Sequence, residues 1–285
     1  MPNSPTPLSF VAVGPPRTGT SWLHQVLKGR VNLPRFNKET RFFDERFHLG
    51  IDWYRAHYDE SSKLPLGEIC PTYFYSDEAR RRLSSTQRRC RIICTFRDPV
   101  TRVFSLYKLK RAYAKVPWSF EDALQHDPEL LESSRYAHYL SEWRRTFGAE
   151  NVLVLFYEDL ATNAQGYMDR VADFIGIPRF QLSDGDLQYI NSSHNLAIPR
   201  LSFLTRFGDG TAEWLKARHW GKFASFLTSS PLRGIFLGGG QPIPRPLPST
   251  LSMLRERFRV EVEDLEKLVD RDLSAWKYRE VGASH

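Results

Sequence analysis

Apolar and polar positions along the chain fall into two rhythms that alternate. Ser9-Phe-Val-Ala-Val-Gly14 is a short apolar run closed by glycine, and Thr20-Ser-Trp-Leu-His-Gln-Val-Leu-Lys-Gly29 follows with apolar residues at helical spacing and a glycine stop. That pattern predicts strand, turn and helix. A second unit begins in the apolar, β-rich Ile92 to Phe96, after which Asp98 is placed to cap a helix whose first turn holds Pro99. A third follows the amphipathic segment from Tyr136 to Phe147, in Asn151-Val-Leu-Val-Leu-Phe-Tyr157. Leu251, Leu254, Phe258, Val262, Leu265 and Val269 recur three or four residues apart and predict a long C-terminal helix with an apolar stripe. Between Gly238 and Pro248 the chain is dense in glycine and proline and reads as an irregular loop. Alternating strands and helices imply an α/β fold of three layers, a parallel sheet flanked by helices, with ligands expected at the carboxyl ends of the strands.

The 285 residues suffice for one sizeable domain, expected from residue 10 to 285 after a loose, proline-rich tail over 1–9. That tail lacks the charged start and apolar stretch of a secretory signal, and no apolar run has the length of a transmembrane segment. Cys70, Cys90 and Cys94 are odd in number and lack the spacing of a zinc site or disulfide framework, so reduced thiols in a cytoplasmic protein are expected. A net charge of +7 favours an acidic ligand without choosing one. Arginines cluster at 80–82 and again from Arg88 to Arg91. With no interleaved aromatics and no nucleic-acid motif, they read as a solvated helix face rather than a nucleic-acid surface.

The sharpest chemical signal is Gly14-Pro-Pro-Arg17-Thr18-Gly19-Thr20-Ser21, which nearly matches the phosphate-binding loop of nucleoside triphosphatases. Thr20 stands where that loop carries lysine, which argues against ordinary phosphoryl transfer. Arg17 supplies a cation instead. The backbone N–H groups of residues 18 to 22, from Thr18 through Gly19, Thr20 and Ser21 to Trp22, lie at a helix N-terminus, where free donors and the helix dipole welcome an anion.

Pro16-Arg-Thr-Gly-Thr-Ser-Trp-Leu23 resembles the phosphosulfate loop of sulfotransferases that use 3′-phosphoadenosine 5′-phosphosulfate (PAPS), and its arginine resembles that of tyrosylprotein sulfotransferases. Phe96-Arg-Asp-Pro-Val-Thr-Arg-Val-Phe-Ser-Leu-Tyr107 is similar to the same family's 3′-phosphate motif. The resemblance places the 3′-phosphate of PAPS, or of the product PAP, on Arg97 and Ser105, where arginine offers bidentate donors. Arg102, between them, is expected in a helix-surface salt bridge. Further likeness to bacterial members runs from Ser134 to Leu160 and again near Leu265 to Trp276, and implies a sulfotransferase with a P-loop-like fold and no metal requirement.

Sulfuryl transfer to a hydroxyl, or to an amine, needs a base for the acceptor's proton and positive charge near the leaving phosphate. Asn37-Lys-Glu-Thr-Arg-Phe-Phe43 resembles the Lys-Glu-x-x-Phe-Phe element of heparan sulfate O-sulfotransferases, which carries the base to Glu39 and a second cation to Lys38. His48 and His57 lie in a Trp/Tyr-rich stretch and are expected packed or exposed. Where heparan-type enzymes have Glu-Lys-Ser/Thr-Pro, this chain has Glu68-Ile69-Cys70-Pro71, so the acceptor remains open among carbohydrate, lipid, peptide and metabolite. Arg233 and Arg245 are candidates for covering the nucleotide. The alternatives are a P-loop kinase or NTPase and a non-catalytic binder of acidic polymers.

Overall fold

The computed structural model describes residues 7–113, 115–188 and 242–278. Four strands, β1 (Phe10–Ala12), β2 (Gly67–Ile69), β3 (Arg91–Phe96) and β4 (Val152–Phe156), form a sheet in the order β2-β1-β3-β4. All three pairings are parallel, with Val11 opposite Glu68 and Ile92, and Cys94 opposite Val154. Parallel pairing turns every carboxyl end to one edge.

Alternation of side chains divides the core between two faces of the sheet. Val11, Ile92, Cys94 and Phe96 point to one face, where the Tyr136–Phe147 helix and the C-terminal helix Pro248–Val269 pack. Phe10, Ala12, Ile93 and Leu155 point to the other, covered by helix α1 (Thr20–Leu27) and the Ala164–Ile175 helix. The three-layer arrangement expected from the sequence is therefore present. Leu254, Phe258, Val262 and Leu265 of the predicted stripe are buried, and the helix begins at Pro248, in the first turn that proline tolerates.

Local signals act as their chemistry requires. Gly29, with φ 79°, follows the last turn of α1, and Asp98 caps helix α4 (Pro99–Ala112) by accepting a hydrogen bond from Thr101 N at 3.0 Å. Between α1 and β2 the chain makes one π turn over Phe42–Arg46 and the short helix α2 (Gly50–Arg55); helix α3 (Asp77–Thr86) leads into β3. The C-terminal segment is tied to the ends of β3 and β4: Trp276 Nε1 donates to Glu158 Oε1 at 3.2 Å, and Arg255 lies 3.7 Å from Asp98.

Arg102 departs from expectation. It is wholly buried and donates from Nε to Ser134 Oγ (3.0 Å) and from Nη2 to the Leu130 carbonyl (2.8 Å), joining α4 to the turn before the Tyr136–Phe147 helix. No residue of α4 is fully exposed, which leaves no open face there for a surface ion pair. In the basic cluster Arg80 is buried and bridges Asp77 (2.7 Å) and Glu142 (3.3 Å), Arg81 and Arg82 share Glu78 at 2.6 Å each, and Arg81, Arg88, Arg89 and Arg91 are exposed. His57 is buried against Trp53, its Nδ1 2.9 Å from the Trp53 carbonyl, and His48 is exposed. Most of the Gly238–Pro248 loop and Arg233 lie outside the described residues; Arg245 is exposed on the approach to the C-terminal helix.

The tightest approach in the sheet lies at the end of β1. A Cβ added to Gly14 would sit 2.1 Å from Thr95 Oγ1 and 2.4 Å from Thr95 N. Gly14→Ala should destabilise the protein by about 1–3 kcal/mol or more, read as a lower urea midpoint; an unchanged midpoint would show that the two strand ends can part without cost.

Candidate functional site

The loop after β1 is held by its own polar groups. Val13 N donates to the Ile93 carbonyl at 2.9 Å, extending the sheet beyond β1 and pressing Gly14 onto Thr95. Thr18 Oγ1 donates to the Pro15 carbonyl at 2.7 Å and therefore accepts from Thr95 Oγ1 at 2.6 Å. Arg17 and Gly19 take positive φ, 77° and 96°, and Gly19 is the N-cap of α1. The first hydrogen bond of α1 runs from Leu23 N to Gly19 O, so the amides of Thr20, Ser21 and Trp22 have no acceptor within the helix. They open at the carboxyl edge of the sheet. Trp22 joins this group by its backbone alone; its indole packs edge-on against Tyr167 and donates to the Asp186 carbonyl at 2.8 Å.

Arg17 turns toward α4. Its Nε donates to Ser105 Oγ at 2.9 Å, so the loop's cation and the serine of the second motif meet, although 88 residues separate them. Arg97 closes β3, with its guanidinium over the Tyr157 ring at 4.6 Å and its carbonyl accepting from Tyr136 OH at 3.1 Å. Lys108, one turn beyond Ser105, joins them; sequence reasoning missed it, although its i+3 spacing from Ser105 was a usable signal. Burial and then the nearby Arg97 cation lower the pKa of Arg17. Burial, Arg17 and Arg97, in that order, lower that of Lys108. Cations that depress one another form a place where a multiply charged anion is stabilised.

A second cluster gathers at Ser21, in the first turn of α1. Lys38 Nζ lies 3.0 Å from Glu39 Oε1 and 3.1 Å from Ser21 Oγ, so this lysine links the candidate base to the first turn of α1. Both side chains are about one-third exposed or less, 27% and 32%, which leaves Glu39 reachable from solvent. His24, on α1, is pushed down to about 4 by burial and by Lys38 and Lys28, and so is neutral near pH 7. Arg41, with φ 53°, pairs with Glu45 at 2.6 Å. Behind Glu39 lies a carboxylate that the sequence did not single out as functional: Glu68, in the middle of β2, is fully buried and accepts from Thr40, Tyr54 and Tyr73. Among the described residues no group of histidine, cysteine or carboxylates is arranged to hold a metal ion.

The chain belongs to the sulfotransferase domain family, which matches residues 8–195. It is 29% identical over 201 residues to the mouse heparan sulfate glucosamine 3-O-sulfotransferase 3B1, across 62% of this chain and 52% of that protein. It is 28% identical over 200 residues to the human bifunctional heparan sulfate N-deacetylase/N-sulfotransferase 3, across 61% of this chain and 23% of that protein. The chain thus spans from about a quarter to about half the length of these relatives. In fold it matches a sulfotransferase from Alicyclobacillus acidocaldarius, with a TM-score of 0.66 and 19% identity, over 95% of this chain and 99% of the other.

Burial raises Glu68 from 4.5 to about 7, although the hydrogen bonds from Thr40, Tyr54 and Tyr73 pull it down. Because the folded-state value exceeds the unfolded one, its contribution to folding is fully present below about pH 4.5 and is lost as pH rises through about 7. Urea midpoints should show the wild type losing stability relative to Glu68→Gln across that window and running parallel to it above; a pH-independent difference would refute the shift.

Proposed function

We propose that the protein transfers a sulfuryl group from PAPS to an acceptor hydroxyl (or amine) and releases PAP. The observation that carries this reading is the meeting of Arg17, Arg97 and Ser105 at the carboxyl ends of β1 and β3, with Lys38 and Glu39 reached through Ser21 of the same loop. Family membership supports it. Arg97, Ser105 and Lys108 would hold the 3′-phosphate. The amides of Thr18 to Trp22, with Arg17 and Lys38, would hold the phosphosulfate and offset the charge that develops on the leaving phosphate. Glu39 would take the proton from the acceptor as its oxygen bonds to sulfur and the bond from sulfur to the bridging phosphate oxygen breaks.

A P-loop kinase or NTPase is disfavoured by Thr20 at the lysine position, and a polymer binder by the pairing of Arg80, Arg81 and Arg82 with carboxylates. We read residues 10–285 as one catalytic domain, since the C-terminal helix shares the core of the sheet. A reducing, cytoplasmic setting is supported by three buried free cysteines, and a bacterial one rests on the likeness to bacterial members; no described helix is long and apolar enough to cross a membrane. The acceptor belongs among carbohydrate, lipid, peptide or metabolite; Ile69, in place of the lysine of heparan-type enzymes, weighs against a heparan-like one.

PAP should raise the melting temperature with or without EDTA, because a ligand confined to the native state stabilises it. A shift seen only with magnesium-ATP would overturn the reading in favour of phosphoryl transfer. Calorimetry should show Arg97→Ala and Lys108→Met each weakening PAP by about tenfold, the scale of one lost charge-assisted hydrogen bond; unchanged affinity would remove that residue from the phosphate site. Glu39→Gln should retain the PAP shift yet release no PAP from PAPS with a panel of desulfated heparan, a phenol and a long-chain alcohol that supports wild-type turnover. Near-normal release would remove the base.

A further inference from the structure

Glu68 presents a problem that its own hydrogen bonds answer. A carboxylate wholly buried on the edge strand of a parallel sheet is unfavourable unless donors surround it. Oε1 accepts from Thr40 N at 3.3 Å, from Thr40 Oγ1 and from Tyr73 OH at 3.1 Å, while Oε2 accepts from Tyr54 OH at 2.7 Å. Those partners carry the network outward: Thr40 Oγ1 accepts from Phe42 N and Tyr73 OH from Phe43 N, each at 3.1 Å. The backbone at 40, 42 and 43, directly after Glu39, therefore converges on this one side chain. Between these fixed points Arg41 takes φ 53°, a conformation that persists only where the surroundings impose it.

We propose that Glu68 is a positioning residue for the candidate base: through Thr40 and Tyr73 it fixes the segment that aims Glu39 at the acceptor. The inference rests on the reading of Glu39 as base. What the network demands of Glu68 is an acceptor at Oε1 rather than a charge. A glutamine keeps that acceptor, and its amide NH2, in the place of Oε2, donates to Tyr54 OH, which then donates to Tyr58 OH 2.7 Å away. A leucine removes both acceptors and strands the Thr40 amide and the hydroxyls of Thr40, Tyr73 and Tyr54.

The test compares Glu68→Leu, Glu68→Gln and Thr40→Val by PAP release from PAPS with the acceptor panel, by the PAP-induced melting shift, and by hydrogen exchange of a peptide covering residues 37–43. Glu68→Leu should lower kcat about 100-fold, the scale of a displacement near 1 Å, while the PAP shift and the KM for PAPS persist. Exchange in the 37–43 peptide should quicken by tenfold or more as its backbone hydrogen bonds open, about the effect of losing one protecting network. Glu68→Gln should stay within about threefold of wild type in kcat, since it keeps every partner supplied. Thr40→Val leaves the carboxylate in place and should still slow turnover and speed exchange, which covers the case of a Glu68→Leu that does not fold. The double variant Glu39→Gln/Glu68→Leu should be no slower than Glu39→Gln alone. Wild-type turnover and exchange in a folded Glu68→Leu or in Thr40→Val would overturn the proposal, as would a Gln variant as impaired as Leu. Unimpaired turnover in Glu39→Gln would instead sink the base assignment, with the exchange data still deciding whether Glu68 orders the segment.

Discussion

Glycine at position 14 lets the backbone leaving β1 lie directly on the end of β3, with no room for a Cβ between it and Thr95. From that contact follow the hydrogen bond of Val13 to Ile93, the Thr18–Thr95 hydroxyl pair and the left-handed turns at Arg17 and Gly19. Were the strand ends further apart, the loop would not be drawn down between them, and Arg17 would not reach Ser105 on α4. The close approach thus couples two motifs that lie far apart along the chain and sets the direction in which the free amides of α1 face.

Electrostatics completes what the backbone begins. Bringing Arg17, Arg97 and Lys108 together costs free energy, because burial removes water from cations that also repel one another. The structure holds them by directional contacts: Nε of Arg17 on Ser105, and the Arg97 guanidinium over Tyr157. Repulsion of this kind is relieved by a multiply charged anion, so positive charge is concentrated here beyond what the net charge of the chain suggests.

On the acceptor side the departure at Glu68-Ile69-Cys70-Pro71 takes physical form. Ile69 is fully buried in the cluster that holds Phe10 and Leu23, so β2 places no cation at that position. Lys38, bound to both Ser21 and Glu39, is the positive charge nearest the candidate base. The buried acid one residue earlier in β2 accepts from Thr40, next to the candidate base, and so holds that segment while Glu39 stays partly exposed.

Much of the framework was legible from the chain because local chemistry dictates it. The periodicity of Thr20 to Leu27, the Asp98-Pro99 cap, the Tyr136–Phe147 helix and the stripe from Leu254 to Leu265 each appear as their residues require. The Gly14–Ser21 loop, the Arg97–Ser105 segment and the Lys38-Glu39 pair were singled out by resemblance. Three features were not. β2 is three residues long with a carboxylate at its centre, so neither alternation nor an apolar run marks it. Arg102 has the appearance of a surface residue on a helix that is in fact packed on nearly every side. Lys108 and Glu68 are drawn into their clusters by neighbours 91 and 28 positions away, at Arg17 and Thr40. The sequence by itself determined which segments form strands, turns and helices, because propensity, capping and hydrophobic period act over a few residues. Which charges share a site, and which acid is enclosed by donors, only the tertiary structure decided, because those are properties of distance and burial between segments remote along the chain.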